Sequence, residues 1–199
     1  MKEMNILLIA GCSGSGKTFI RDMIYNHKSY TDTSLNFHIP MQVTTRGRRV
    51  DMDGDFSEKA DAYIFLDESM YDYLTFDNCL TTVTHFDGKS YGTLKKTLVS
   101  GKKNCNLIVA SAEGIKNTIM DFENYPEVNI KTMLVVSNPE EIEDIIASHN
   151  GRDLDFAKNE LAELMKIPFD VYIPNFVSKR VTEEELFDKI DFDKLFRRK

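Results

Sequence analysis

Asn5-Ile-Leu-Leu-Ile-Ala10 runs directly into Gly11-Cys-Ser-Gly-Ser-Gly16-Lys17-Thr18, and this junction decides the fold. The first piece is a short, continuous apolar run, the pattern of a strand covered on both faces of a parallel sheet. The second satisfies G-x-x-x-x-G-K-[ST], a loop whose backbone N–H groups curl around phosphates. The pattern that follows predicts a helix over Thr18 to His27, so the motif lies between strand and helix, the context it requires. The helix N-terminus adds partial positive charge, Lys17 can reach the β- and γ-phosphates, and Thr18 can ligate Mg²⁺. Gly11, Ser13, Gly14, Ser15 and Gly16 complete the expected cradle for a donor nucleotide.

Working outward, Asn106-Leu-Ile-Val-Ala110 and Met133-Leu-Val-Val136 repeat the buried-strand pattern, and Val171-Tyr-Ile173 is a weaker copy. After Val136, Asn138-Pro139-Glu140-Glu141 places a capping residue, a proline and two acids where a helix starts, and that helix should run to about His149. Strands alternating with helices imply α/β architecture with right-handed crossovers. The stretch from about Val43 to Thr93 differs, with alternation in Cys79-Leu-Thr-Thr-Val-Thr-His-Phe86 and a turn at Asp87-Gly88-Lys89. It reads as a small, mostly antiparallel α+β insertion. Asn150 to Ala157 interrupts helical sequence and suggests a short lid. The expected fold is a P-loop NTPase-type parallel sheet with flanking helices in a single domain. Its core spans about 1–43, 94–148 and 158–199, its inserted subdomain about 44–93 and its lid about 149–157.

Composition agrees with one domain that buries a real core: 199 residues, 42% hydrophobic and 29% charged. The mean hydropathy is -0.34, and the apolar run Ile6 to Ala10 is far short of the roughly 20 residues a bilayer needs. Cys12, Cys79 and Cys105 include no CxxC pair, which argues against a disulfide framework or a zinc site and fits a reducing, cytoplasmic setting. A net charge of -7 disfavours nucleic acid and anionic membranes as partners. The balance is uneven, because residues 1–50 carry a local +4 and leave -11 for the rest. A small phosphorylated ligand suits that basic quarter.

The loop alone leaves GTPase, ATPase and small-molecule kinase open, and no N-K-x-D sequence supports a GTPase switch. Thr44-Thr45-Arg46-Gly47-Arg48-Arg49 narrows the choice, since guanidinium groups grip phosphate bidentately. Ser90-Tyr91-Gly92-Thr93 and Tyr63 follow, although isolated tyrosines more often serve packing.

Taken in order, Gly11 to Thr18, Thr44-Thr45-Arg46 with Arg49, Tyr63-Ile-Phe, Phe86-Asp-Gly-Lys-Ser-Tyr91-Gly-Thr93, Ser100-Gly101-Lys102 and Glu113-Gly114 resemble guanylate kinase over most of the chain. The resemblance implies a core sheet, a nucleoside-monophosphate-binding subdomain and a lid, with Mg²⁺-assisted transfer of the ATP γ-phosphoryl group to a monophosphate. It implies that Arg46, Arg49, Tyr63 and Tyr91 hold the acceptor phosphate, and that Lys17, Arg46, Arg49 and Arg152 surround the transferring group. Asn175 would lie near the donor adenine, and Gln42, Thr82, Thr93 and Ser111 around the acceptor base. The partners implied are ATP and a nucleoside monophosphate, with the protein a monomer or homodimer. Thr82 and Ser111 stand where the family has acids for the guanine edge, and Gln42 replaces a serine. A carboxylate is the natural partner of guanine's N–H pair, so its loss implies an altered base, ribo or deoxy. Gln42 suits either adenine or a pyrimidine. Val109 and Ser111 replace strand aspartates, leaving Thr18, water and the nucleotide as the expected Mg²⁺ ligands. The same departures suit a kinase of phosphorylated sugars, and a silent protein-binding module is the alternative outside enzymology.

Overall fold

β1 (Met4–Ala10) is buried along its whole length, as a central strand with neighbours on both edges must be. The computed structural model describes residues 3–27, 33–48, 63–86, 88–137, 154–176 and 179–197. Along the chain the other strands are β2 (Asn36–His38), β3 (Gln42–Thr44), β4 (Ile64–Phe65), β5 (Leu80–Phe86), β6 (Lys89–Leu94), β7 (Asn104–Val109), β8 (Val128–Val136) and β9 (Val171–Pro174). The helices are α1 (Lys17–Asn26), α2 (Glu68–Phe76), α3 (Ala112–Phe122), α4 (Leu154–Leu164), α5 (Glu183–Lys189) and α6 (Phe192–Leu195). The chain divides into two compact units, Met1–Ile39 with Val99–Ala112 and Tyr125–Lys199, and Pro40–Leu98 with Glu113–Asn124.

The first unit is built on a five-stranded sheet in the order β2-β7-β1-β8-β9, and every pairing in it is parallel. The register sets Leu7 beside Leu107 and Ile9 beside both Val109 and Met133, so one face is a continuous apolar layer. Ile20 and Ile24 of α1 close on that layer with Leu186, Phe192 and Phe196 from the C-terminal helices. α5 starts at a capping box in which Thr182 and Glu185 satisfy each other's backbone N–H groups. Pro174 ends β9, an edge strand, where a missing N–H costs no ladder bond. The helix expected after Val136 and most of the expected lid lie outside the described residues; 154–157 open α4.

The second unit carries a four-stranded sheet in the order β4-β3-β6-β5. β6 is antiparallel to β3 and β5, while β4 joins β3 in parallel, in keeping with the mostly antiparallel insertion expected. α2 is capped by the Asp67 carboxylate, which accepts from Met70 N at 2.8 Å. Its Tyr71 and Leu74 pack on Val43, Leu80, Leu94 and Val83, making one face of the sheet apolar. The register places Gln42, Thr93 and Thr81 in one row across the other face, and Thr44, Tyr91 and Thr84 in the next. Thr44, Thr81 and Thr93 have no exposed surface at all. Buried hydroxyls, unlike buried leucines, call for an explanation. Among the described residues no helix is long and apolar enough to cross a membrane.

Candidate active site

In the first unit the motif loop leaves β1 and enters α1 through two crowded glycines. A Cβ at Gly11 would lie 2.4 Å from Ser15 Oγ and 2.6 Å from Val135 O. Gly16 caps α1 at φ +89, a left-handed conformation that favours glycine. Lys17 Nζ donates to Gly11 O at 2.7 Å and to Cys12 O at 2.8 Å, so the ammonium is folded over the loop it belongs to. Ser15 N donates to Cys12 O at 3.1 Å and tightens the turn. The Cys12 thiol is buried, and burial pushes its pKa up, which keeps it neutral beside the Lys17 charge. Thr18 is exposed at the start of α1. Asn175 is buried against the loop, with Nδ2 donating to Ser15 O at 2.8 Å. Ser111 also belongs to this unit, just before α3. Among the described residues no cluster of acids, histidines and cysteines could hold a metal by itself.

In the second unit the Thr44-Thr45-Arg46 element explains itself through its hydroxyls. Thr44 Oγ1 accepts from Arg46 N at 3.2 Å. Thr45 Oγ1 accepts from Ser90 N at 3.0 Å, while Thr45 N donates to Ser90 O. The two threonines thus shape the turn that presents Arg46. The Arg46 guanidinium lies 5.0 Å from the Tyr63 ring centroid and 5.6 Å from that of Phe65. Arg48 sits 5.3 Å from the same Phe65 ring. Tyr91 meets Tyr63 edge-on at 6.3 Å. Its own backbone carbonyl accepts from the Tyr71 hydroxyl at 2.7 Å, and burial pushes the Tyr71 phenol up to about 12, so it stays a donor. Arg46, Tyr63 and Tyr91 therefore converge. Phe65 and Arg48, quoted within the sequence motifs but given no role of their own there, join them. Arg49 and Arg152 lie outside the described residues.

Behind this cluster runs the row of hydroxyls. β5 is irregular between Thr81 and Thr84, and Thr82 there takes φ +54, a rare choice for a β-branched residue. The twist brings Thr82 Oγ1 to 2.6 Å from Thr93 Oγ1. Thr82 Oγ1 also donates to Thr81 O at 2.7 Å, so Thr93 must be the donor of the pair. Gln42 is buried beside Thr93 in the register. The structure thus groups Gln42, Thr82 and Thr93 within one unit. Glu113 anchors α3 to β5, accepting from Thr84 Oγ1 at 2.8 Å and His85 N at 2.9 Å. Gly92 lets Leu80 pack closely, since a Cβ would stand 3.1 Å from Leu80 Cδ1.

Comparison of the whole chain with solved structures aligns 98% of it with 85% of a guanylate kinase from Anaplasma phagocytophilum, at a TM-score of 0.62 and 18% identity. The protein has a guanylate-kinase-like fold. A sugar kinase from Janibacter sp. aligns over 93% of this chain and 91% of its own at 15% identity, with a TM-score of only 0.41. No protein-family model matches the sequence, and no curated protein matches it. The guanylate-kinase-like sheet agrees with the P-loop NTPase-type α/β fold expected from Gly11 to Thr18.

Proposed function

We propose that the protein is an ATP-dependent nucleoside or deoxynucleoside monophosphate kinase whose acceptor base is not guanine. The observation that supports this most is the convergence of Arg46 with Tyr63 and Tyr91 on a buried polar sheet face, in a chain that also holds a phosphate loop. An arginine resting on aromatic rings offers its N–H groups to a phosphate while the rings hold its orientation. Arg49 would share that phosphate, and Arg152 would meet the transferring group. On the donor side the loop residues Gly11 to Thr18 suit a triphosphate, because the loop lies between β1 and α1 and brings its backbone N–H groups and the N-terminus of α1 together. Mg²⁺ would be held by the Thr18 hydroxyl together with phosphate oxygens and water, and would neutralise charge on the phosphates. Lys17, released from its two loop carbonyls, would meet the developing charge.

Base choice rests on Gln42, Thr82, Thr93 and Ser111. Thr82 spends its proton on Thr81 O and offers no carboxylate, so guanine's N–H pair finds no anionic partner there. The experiment is a screen of purified protein with ATP, Mg²⁺ and each ribo- and deoxynucleoside monophosphate, with ribose phosphates as a further arm, followed by ADP release. Release with a monophosphate other than GMP or dGMP is expected. GMP as the best acceptor overturns the base reading, and the absence of acceptor-dependent ADP release with every compound overturns the kinase reading.

A further inference from the structure

Asn175 stands one residue beyond β9 and 160 positions from the loop residue it touches. Its backbone N donates to Val136 O at 2.8 Å, its Nδ2 donates to Ser15 O at 2.8 Å, and its Oδ1 accepts from Val181 N at 3.2 Å. The two side-chain bonds fix which end of the amide is which, since the reverse orientation would set oxygen against the Ser15 carbonyl and N–H against N–H. The contact is tight: a Cβ on Gly16 would lie 2.4 Å from Nδ2. Glycine at this position therefore serves the asparagine as well as the left-handed turn.

The described peptide bonds are all trans, so the carbonyl of Ser15 and the N–H of Gly16 point in opposite directions across one rigid plane. A bond that draws Ser15 O toward Asn175 turns Gly16 N–H away from it. Lys17 gathers the carbonyls of Gly11 and Cys12 in the same way. Between them the two side chains withdraw three carbonyls of the loop, whose lone pairs would repel an anion. A loop that binds phosphate through backbone N–H groups needs that sorting.

We propose that Asn175 is a positioning residue for the donor phosphates, acting through the Ser15–Gly16 peptide and not by touching the nucleotide. The inference rests on the donor-site reading above. In that reading Lys17 meets the arriving phosphate, whereas Asn175, buried and held at three atoms, keeps the loop set throughout.

The test is Asn175→Asp in the full chain, which keeps an acceptor for Val181 N and places a carboxylate oxygen against Ser15 O. Calorimetry is run with Mg–ATP, with magnesium tripolyphosphate, which has no nucleoside, and with the preferred monophosphate. A loss of about tenfold is expected for both donor-type ligands, with monophosphate affinity unchanged. Protonation of the new carboxyl restores a donor toward Ser15 O, so the deficit relative to wild type should shrink as pH falls. A loss confined to ATP would mean that Asn175 contacts the nucleoside, and it overturns the proposal. So does undiminished binding of both, or an equal loss for the monophosphate, which would mark a general structural role. If Asn175→Asp does not fold, Asn175→Ala decides by the same three-ligand comparison. Wild-type protein that binds neither ATP nor tripolyphosphate refutes the donor-site reading instead. The proposal rests on that reading and falls with it, whereas wild-type protein that binds both ligands and an Asn175→Asp variant that binds them equally well overturn the proposal alone.

Discussion

Arg46→Ala should weaken the acceptor monophosphate and leave ATP alone. The guanidinium is placed by Thr44 Oγ1 on its own backbone N–H and by the Tyr63 and Phe65 rings at 5.0 and 5.6 Å. A hydrogen bond to a charged group contributes about 1.5–3 kcal/mol, so losing the phosphate contact should raise the acceptor Kd by about tenfold to a hundredfold or more. Arg46→Lys should recover only part of this, because an ammonium cannot offer the two-pronged fork. Tyr63 contributes less: a cation–π contact at a partly exposed site is worth about 0.5–1 kcal/mol, about two- to fivefold. Tyr63→Phe should keep most of it, and Tyr63→Leu should lose it. If the ring acts by holding Arg46, Tyr63→Leu in the Arg46→Ala background should add less than it does alone. Calorimetric titration of each variant with ATP and with the preferred monophosphate checks all of this. Equal losses for the two ligands would refute the placement of Arg46 on the acceptor phosphate, and strict additivity of the two variants would refute the role given to Tyr63.

Three further outcomes are expected. Lys17→Met should lower kcat by about a hundredfold or more, the cost of one transition-state donor, with circular dichroism unchanged; near-native turnover would refute its role. Thr82→Glu with Ser111→Asp should raise kcat/KM for GMP relative to the native acceptor, and should lower Tm because the Thr82–Thr93 hydroxyl pair is lost; an unchanged substrate ratio would remove these positions from base recognition. The Asp67 carboxyl is held below its usual range by the Met70 N–H. A depressed pKa contributes stability above the unfolded value that is lost as pH falls through the folded one. Tm should therefore drop below about pH 4, and Asp67→Asn, which also caps a helix, should flatten that drop in a melting series.

The phosphate loop was legible because its chemistry is local: strand, glycines, lysine and helix are consecutive, and no distant residue is needed to recognise them. The polar and apolar faces of the second sheet were half legible, since the alternation in Leu80-Thr-Thr-Val-Thr predicts a strand but not the register that lines Gln42, Thr93 and Thr81 up. The conformation of Thr82 could not be read, because its left-handed φ runs against the preference of a β-branched residue and only the surrounding sheet imposes it. β2 hides because three residues reading Asn-Phe-His carry too little periodicity. The partnership of Asn175 with Ser15 is invisible for a different reason: it is a contact across the whole fold, created by the parallel order that sets β9 beside β8.

A chain that moves a phosphoryl group between two nucleotides must carry the γ-phosphorus of ATP into the acceptor. The most direct measurement follows ATP labelled in its γ-phosphate, incubated with Mg²⁺, the protein and the best acceptor from the monophosphate screen. The label should appear in the corresponding nucleoside diphosphate, in step with ADP, and this transfer should be lost in Lys17→Met. Label released only as inorganic phosphate, or retained in ATP with every acceptor, would contradict the kinase reading.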